Sequence, residues 1–136
     1  MIQWLWEGNH IKDEEVPENA VGFIYMIEHI PTGKYYIGKK NLWAKRTLPP
    51  LKGMKRKRKI IKESDWKSYM SSNQWIKEEA SVDVTAFKKK ILQFCYSAKS
   101  LTYYELYWQM KYNVLADENS LNDNLLGKFF RKDLDI

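Results

Sequence analysis

The alternation of apolar and polar positions is clearest in the first third of the chain, where it predicts a β-hairpin. Residues 21–28 and 34–39 are rich in β-branched and aromatic side chains. Pro31, Thr32 and Gly33 stand between these two runs, and proline and glycine are typical of tight turns. The second run ends in a glycine and two lysines, Gly38, Lys39 and Lys40.

The pattern after the hairpin is less regular. Residues 41–47 are expected to form a short helix, because Pro49 and Pro50 would end it. Residues 51–62 contain seven basic side chains and no acidic one, so self-repulsion predicts a mobile, solvated loop. Ser64 and Asp65 are suitable caps for a second helix over residues 64–70, and residues 74–80 predict a further helical turn.

The second half of the chain predicts a third strand and a long helix. Residues 87–96 are expected to form the strand, although three consecutive lysines blur its alternation, and residues 101–115 form the most regular helical pattern. These elements predict an α/β (α+β) fold, with a small antiparallel three-stranded sheet flanked by helices. One domain over residues 1–136 is expected, with a basic loop insertion at about residues 49–63.

One carboxylate interrupts the apolar stripe of the predicted long helix. Helical spacing places six residues on this face: Leu101, Tyr104, Glu105, Trp108, Tyr112 and Leu115. Burial of Glu105 would be costly unless the carboxylate were paired, hydrogen-bonded or neutralised by a cation. Periodicity leaves two readings open: Glu105 reaches solvent or a lysine, or it binds a metal ion.

Composition narrows the classes of function. The chain has 23 basic and 17 acidic residues, a formal charge of +6, which favours a polyanionic partner. Cys95 is the only cysteine, which excludes an internal disulfide and favours the reducing cytoplasm. No run approaches the roughly 18 apolar residues of a membrane span, so no membrane association is expected. His10 and His29 suggest no metal cluster, and the tryptophans are expected to serve as core or docking residues.

Two tripeptides carry a resemblance to a known family. "FIY" at 23–25 and "YIG" at 36–38, joined as strand, turn and strand, resemble the two-part signature of the GIY-YIG nuclease family. Arg46 stands where that family has a helix-borne arginine, Glu105 in "YYELYW" resembles its metal-binding glutamate, and Asn122 resembles a later, supporting asparagine. The resemblance spans about residues 21–127.

The chain departs from the family pattern at two positions. Phe23 replaces the leading glycine of the first tripeptide, with Gly22 one position earlier. Pro50 stands four residues after Arg46, where the family often has histidine or tyrosine, so Tyr69 or Lys45 is left to supply an assisting group.

The resemblance implies an endonuclease that hydrolyses phosphodiester bonds in DNA with Mg²⁺, or with Mn²⁺ as the alternative cation. It implies that Glu105 holds the metal, Tyr36 activates water and Arg46 binds the scissile phosphate. Tyr25 would position water or phosphate, and Asn122 would support the site. The residues expected to contact DNA are Lys39, Lys40, Lys52, Lys55, Arg56, Lys57, Arg58 and Lys59. A small enzyme of this kind suits a bacteriophage or mobile element acting in the host cytoplasm.

Two other classes of function stay open from the sequence. One is a non-catalytic, basic nucleic-acid-binding module in which residues 51–62 bind phosphate. The other is a small basic protein that docks on an acidic protein partner through its tryptophans. The sequence also does not decide whether the substrate is DNA or RNA, or whether two copies of the chain associate.

Overall fold

A computed structural model describes residues 2–135, and within that range the chain forms nine strands and two α-helices. In chain order they are β1 (Trp4–Trp6), β2 (Asn9–His10), β3 (Gly22–His29), β4 (Tyr35–Asn41), β5 (Trp43–Leu48), β6 (Arg58–Glu63), α1 (Gln74–Val82), β7 (Phe87–Cys95), α2 (Ala98–Lys111), β8 (Asn124–Leu125) and β9 (Phe129–Phe130).

The predicted hairpin is confirmed as β3 and β4. The two strands are antiparallel, with Tyr25 opposite Gly38 and Ile27 opposite Tyr36. The predicted third strand is confirmed as β7, which pairs antiparallel with the other side of β3. Strand β3 is therefore central, and all but one of its residues are buried, as expected for a strand covered on both faces.

The three-stranded sheet of the prediction is incomplete. The main sheet has five strands in the order β2-β1-β7-β3-β4, and β1 runs parallel to β7, so the sheet is mixed. Strand β1 has only three residues, and its partner lies more than 80 residues away in the chain. Neither its length nor its alternation could identify it, because its pairing is set by tertiary structure.

The two faces of the sheet carry separate cores. On one face, Phe23 packs with its ring centroid 5.0 Å from that of Trp4 and 6.0 Å from that of Trp66. On the other face, Ile24 and Ile37 pack with Leu101 of α2. Because side chains alternate along a strand, β4 also presents Tyr36 to the first face and Ile37 and Lys39 to the face covered by α2.

The predicted helix over residues 41–47 is wrong, and so is the prediction that all of residues 51–62 form a loop. Strands β5 and β6 pair antiparallel over six positions and form a separate two-stranded sheet. Thr47, Ile60 and Ile61 favour extended backbone, and cross-strand pairing stabilises it. The lysines dominate the sequence pattern here and hide this preference. Residues 49–57 connect the two strands as an exposed loop.

The predicted helix over residues 64–70 is also wrong. The Ser64 hydroxyl accepts from the N–H of Trp66 at 3.2 Å, as a cap would, but it also donates to the carbonyl of Asn41 at 2.6 Å, and Asp65 pairs with Lys40. The segment forms turns instead.

The remaining helix predictions are confirmed with shifted bounds. Helix α1 begins after Asn73, whose Oδ1 accepts from the backbone N–H of Ile76 at 3.1 Å. Helix α2 begins after the cap Ser97 and ends at Lys111, so the predicted stripe is too long. Its buried residues are Leu101 and Gln109, with Glu105 half-buried between them. Neither helix within residues 2–135 is long and apolar enough to cross a membrane.

Candidate active site

The candidate site lies at β4, the edge strand of the main sheet. The amide of Asn122 occupies part of this edge: its Oδ1 accepts from the N–H of Ile37 at 2.9 Å, and its Nδ2 donates to the carbonyl of Ile37 at 2.8 Å. Gln109 of α2 donates to the same carbonyl at 3.1 Å. Asn122 is buried, with 3% of its surface exposed. It therefore fixes the C-terminal segment against β4.

Three tyrosines form a cluster on the face of the sheet opposite α2. The ring centroid of Tyr25 lies 6.2 Å from that of Tyr36 and 5.8 Å from that of Tyr69. The Tyr25 hydroxyl donates to Oγ of Ser71 at 3.3 Å, and Tyr25 is only 1% exposed. Burial, with smaller contributions from Tyr69 and Tyr36, raises the pKa of Tyr25 well above its ordinary value. Tyr25 is thus a neutral phenol inside the cluster.

Two backbone features lie beside Tyr25. The register of β3 with β7 shifts between Ile24 and Tyr25, because β7 has one extra residue, Leu92, at this point. Gly38 lies opposite Tyr25, where a Cβ would come 2.6 Å from the Tyr25 hydroxyl oxygen. The glycine of "YIG" is therefore needed so that the Tyr25 ring can lie against β4.

The missing leading glycine of "FIY" also has a structural explanation. Phe23 is fully buried in the aromatic core, where it fills space between Trp4 and Trp66. Gly22 makes the close approach instead, because a Cβ there would come 2.6 Å from the carbonyl oxygen of Lys40. In this chain the close contact between β3 and β4 is thus made at Gly22, one position before Phe23.

Tyr36 is more exposed to solvent than Tyr25. Burial raises its pKa, the negative charges of Glu105 and Asp123 and the nearby Tyr69 raise it further, and a hydrogen bond with the Ser72 side chain lowers it. Tyr36 and Glu105 lie on opposite faces of the sheet, and the charge of Glu105 still influences the Tyr36 phenol across the edge strand β4.

Glu105 is half-buried on α2. Burial raises the pKa of its carboxyl group, while the charge of Lys39 and a backbone hydrogen bond from the same residue lower it. The Lys39 ammonium itself donates to Oγ1 of Thr102 at 2.9 Å. Among residues 2–135, no lysine or arginine lies within ion-pair distance of Glu105. Within the described part of the chain, no residue therefore forms the ion pair with Glu105 that the first alternative requires.

Lys40 closes the other end of the tyrosine cluster. Its Nζ lies 2.6 Å from Oδ1 of Asp65 and 4.1 Å from the ring centroid of Tyr69. The hydrogen bond from Lys40 is the largest of the effects that lower the pKa of Asp65. A cation thus rests on the face of an aromatic ring beside the candidate site.

A buried lysine supports the segment that carries Tyr69. Lys89 is 0% exposed, and its Nζ donates to the carbonyls of Lys67 at 3.1 Å and Tyr69 at 2.9 Å. The same Nζ lies 4.4 Å from the ring centroid of Trp4, and burial lowers the pKa of Lys89 to about 8. Sequence reasoning missed this residue. Its position midway between the buried Phe87 and Ile91, in a strand where side chains alternate, was the available signal.

The structure does not bring Arg46 into the tyrosine cluster. Arg46 is exposed on β5, opposite Ile60 of β6, and its side chain makes no hydrogen bond or ion pair with another residue of the described range 2–135. It is therefore borne by a strand, and the expectation of a helix-borne arginine is wrong. Six other basic residues outside β4 are expected to contact DNA. All six are exposed and lie on β6 or on the loop before it: Lys52, Lys55, Arg56, Lys57, Arg58 and Lys59.

The site also contains two serines that the sequence did not single out, Ser71 and Ser72, which hydrogen-bond with Tyr25 and Tyr36. Tyr69, one of the two residues expected to assist, joins the cluster from the segment after β6. Tyr69 is separated from Tyr36 by more than 30 residues, so only the fold brings the two together. Of the six tryptophans, Trp4 and Trp66 are buried in the core, Trp43 is 48% exposed, and the other three are partly buried.

Any metal ion in this region would have few protein ligands. Within residues 2–135, no group of three or more histidine, cysteine, aspartate or glutamate side chains is arranged to hold a metal ion. A single half-buried carboxylate without a cationic partner still fits Mg²⁺, which keeps several waters and uses one or two carboxylates together with substrate phosphates.

Comparison with known families agrees with this geometry. Residues 4–130 match the family model described as "Putative endonuclease segE, GIY-YIG domain". No curated protein and no solved structure matches the chain. Because the match extends over nearly the whole chain and includes both tripeptides, the tyrosine cluster and Glu105, the chain belongs to the GIY-YIG endonuclease family.

Proposed function

We propose that this chain is a Mg²⁺-dependent endonuclease that hydrolyses phosphodiester bonds in DNA. The observation that carries the proposal is that α2, which bears Glu105, packs on β4, which bears Tyr36. On either side of Glu105, Thr102 accepts from the Lys39 ammonium at 2.9 Å and Gln109 donates to the carbonyl of Ile37 at 3.1 Å. Hydrolysis of a phosphodiester needs an activated water, stabilisation of negative charge and help for the leaving oxygen. Membership in an endonuclease family supports assigning these tasks to the side chains at this edge.

Glu105 is the residue that would hold the cation, with Mn²⁺ as the alternative to Mg²⁺. The bound cation would supply positive charge to the phosphate oxygens and to the leaving oxygen. It would also relieve the cost of a half-buried carboxylate, the cost expressed in the raised pKa of Glu105. Lys39 already contributes positive charge on this side of the site.

Tyr36 is the proposed general base. Its phenol is partly exposed and can reach water, whereas Tyr25 is enclosed by the cluster. Burial and the charge of Glu105 raise the pKa of Tyr36, so a cation held by Glu105 would be needed to lower it before the phenol could accept a proton. Tyr25 would act by holding Ser71 and by packing against Tyr36 and Tyr69. We assign Tyr69 a supporting position beside Tyr36, which fills the assisting role left open at Pro50.

Positive charge for the scissile phosphate would come from β4 itself. Lys39 and Lys40 lie on opposite faces of this strand, and Lys40 is held beside Tyr69 by Asp65. A phosphate can compete with Asp65 for the Lys40 ammonium. Arg46, on β5, would instead contact the sugar-phosphate backbone away from the scissile bond. Asn122 would contribute by fixing the edge of β4.

Digestion of defined substrates tests the proposal. Supercoiled plasmid, single-stranded DNA and RNA would be incubated with the protein in Mg²⁺, in Mn²⁺ and in EDTA. We expect metal-dependent cleavage of DNA that is lost in Glu105→Gln and kept in Glu118→Gln, which removes an exposed carboxylate elsewhere. Absence of cleavage in both metals, or equal cleavage in EDTA, would contradict the proposal.

A nucleic-acid-binding module without catalysis is the second candidate, and the basic residues of β6 and its preceding loop favour it. Binding that persists in EDTA, with no cleavage in any metal, would support this candidate over the enzyme. A protein docking through tryptophan anchors is less favoured, because Trp4 and Trp66 are buried in the core. A bacteriophage or mobile-element source is proposed from the family resemblance alone.

A further inference from the structure

The excess positive charge of the chain is confined to one projecting element. Between Trp43 and Glu63 lie nine of the 23 basic residues and one of the 17 acidic residues. The rest of the chain therefore carries 14 basic and 16 acidic residues and is slightly negative. An electrostatic attraction to a polyanion must act mainly through this segment, which we call the ribbon: strands β5 and β6 with the loop between them.

The ribbon is a two-stranded sheet with both faces open. No third strand pairs with it among residues 2–135, and most of its residues are exposed. Six residue pairs at about 3.4 Å per residue give a length of roughly 20 Å, with strands about 4.8 Å apart. The major groove of B-form DNA is about 12 Å wide and admits a two-stranded β-ribbon.

One face of the ribbon combines three cations with small and aliphatic side chains and has no acid. Cross-strand partners share a face, and the register places these six residues together: Ala44, Arg46, Leu48, Arg58, Ile60 and Lys62. Arginine and lysine can contact phosphates or guanine edges, and apolar side chains can contact thymine methyl groups. The opposite face has two cations and one acid, and its six residues are Trp43, Lys45, Thr47, Lys59, Ile61 and Glu63. The two faces are therefore not equivalent for a polyanion.

The base of the ribbon is joined to the candidate active site on both sides. Leu42 alone separates β5 from β4, which carries Tyr36 and Lys40. On the return side, the N–H of Ser64 donates to the carbonyl of Leu42 at 2.9 Å, and Asp65 pairs with Lys40 at 2.6 Å. The position of the ribbon and the position of Lys40 are thus mechanically connected.

We propose that the ribbon docks in the major groove of double-stranded DNA, with the face that carries Arg46, Arg58 and Lys62 toward the groove. This inference rests on the proposed function for its substrate class and deepens it, because it selects B-form duplex DNA over RNA and single strands. A-form RNA has a deep, narrow major groove that side chains cannot read. The ribbon is about 20 Å long and its base lies beside Lys40. Its docking would therefore fix how far the cleaved phosphate lies from the bound groove.

Binding measured in EDTA separates this inference from the proposed cleavage. Equal-length duplex DNA, duplex RNA and single-stranded DNA would be titrated at several salt concentrations with the wild-type chain. They would then be titrated with the triple variant Arg46→Gln, Arg58→Gln, Lys62→Gln. The matched control Lys77→Gln, Lys88→Gln, Lys128→Gln removes the same charge from exposed positions outside the ribbon.

We expect the wild-type chain to prefer duplex DNA. The ribbon variant should lose 10-fold or more in affinity, with a salt slope reduced by about 0.9 for each phosphate contact removed. The control variant should change little. An equal loss in both variants, or wild-type binding to duplex RNA as tight as to duplex DNA, would overturn the inference.

Dimethyl sulfate footprinting reads the groove directly with the wild-type chain, since it methylates guanine N7 in the major groove and adenine N3 in the minor groove. Protection of guanine N7 alone is expected. Protection confined to adenine N3, or no protection at saturating protein, would overturn the proposal. If guanine N7 is protected but the wild-type chain never cleaves DNA, the groove-docking inference stands and the proposed enzyme fails.

Discussion

Gly38 and Tyr25 lie directly opposite each other in the β3–β4 ladder, and no atom larger than hydrogen fits between them. A Cβ at position 38 would come 2.6 Å from the hydroxyl oxygen and 2.8 Å from Cζ of Tyr25. The Tyr25 ring also contacts Tyr36 and Tyr69. The packing of this one pair therefore sets the geometry of the tyrosine cluster.

Gly38→Ala should destabilise the chain and displace Tyr25, because a buried ring cannot move without a cost. Overpacking of this kind costs about 1–3 kcal/mol. Urea unfolding of Gly38→Ala, Tyr25→Phe and the double variant would measure the coupling between the two positions. Removal of the nearest atom, the Tyr25 hydroxyl, should recover part of the loss, so strictly additive effects would contradict the contact.

Tyr36→Phe should abolish most cleavage while leaving the fold intact. The variant keeps the ring but removes the hydroxyl of the proposed base, so a rate loss of roughly 10²–10⁴ is expected. Single-turnover cleavage on a purified, folded variant measures it, and Tyr103→Phe, at an exposed position on α2, is the matched control. Near-normal cleavage by Tyr36→Phe would transfer the role of base to another residue, Tyr69 being the first to test.

Glu105→Gln should eliminate metal-dependent cleavage and preserve DNA binding. The amide keeps the size of the side chain but lacks the negative charge that a hard cation requires. The melting temperature without metal should hold or rise, because burial of the carboxylate is unfavourable and no ion-pair partner lies near it within residues 2–135. A variant that melts earlier but still cleaves at the wild-type rate would assign Glu105 a structural role instead.

Lys89→Met should loosen the segment that carries Tyr69. The thioether cannot donate to the carbonyls of Lys67 and Tyr69, so hydrogen exchange should accelerate in residues 66–72, more than in β3. Cleavage should fall as Tyr69 becomes less well positioned. Unchanged exchange in this segment would show that the Lys89 ammonium does not hold it.

The same lysine gives stability a pH dependence with a definite sign. The pKa of Lys89 is lowered to about 8 in the folded chain from an ordinary value of 10.5, so the unfolded chain binds more protons between these values. The free energy of unfolding should therefore rise as the pH increases from about 8, by an amount on the order of 1–3 kcal/mol in all. Burial raises the pKa of Cys95, which acts in the opposite direction over this range. Urea unfolding between pH 7.5 and about 9.5, below the ordinary tyrosine pKa, would therefore reveal the effect of Lys89 as a more positive pH slope in wild type than in Lys89→Met.

Elements stabilised by local contacts could be predicted from the sequence. The β3–β4 hairpin joins neighbouring segments, and Gly33 in its turn has positive φ, as expected for its residue type. Helix α2 is a local element capped by Ser97. Strand β7 could be predicted from its apolar residues, although three lysines blur its alternation and its partner β3 is distant in the chain. The positions of Tyr36 and Glu105 follow from these elements, which is why the core of the candidate site could be anticipated.

Features that depend on distant contacts could not be predicted. Strand β1 exists because β7 pairs with it, and β5 and β6 exist because they pair with each other. The lysine-rich composition of residues 51–62 gave no indication of that pairing. The contribution of Lys89 was hidden for the same reason, because its hydrogen-bond acceptors lie about 20 residues earlier in the chain.

The side chains and backbone that line β4 also make the sheet resistant to strand addition by another protein chain. Tyr35 exchanges backbone hydrogen bonds with Asn119 and Leu121, and the outward groups of Ile37 are taken by Asn122 and Gln109. The opposite edge, β2, has only two residues. Exposed strand edges are templates for aggregation, and short or covered edges remove them. The edge that presents the candidate active site is therefore also the edge at which uncontrolled fibre growth would otherwise begin.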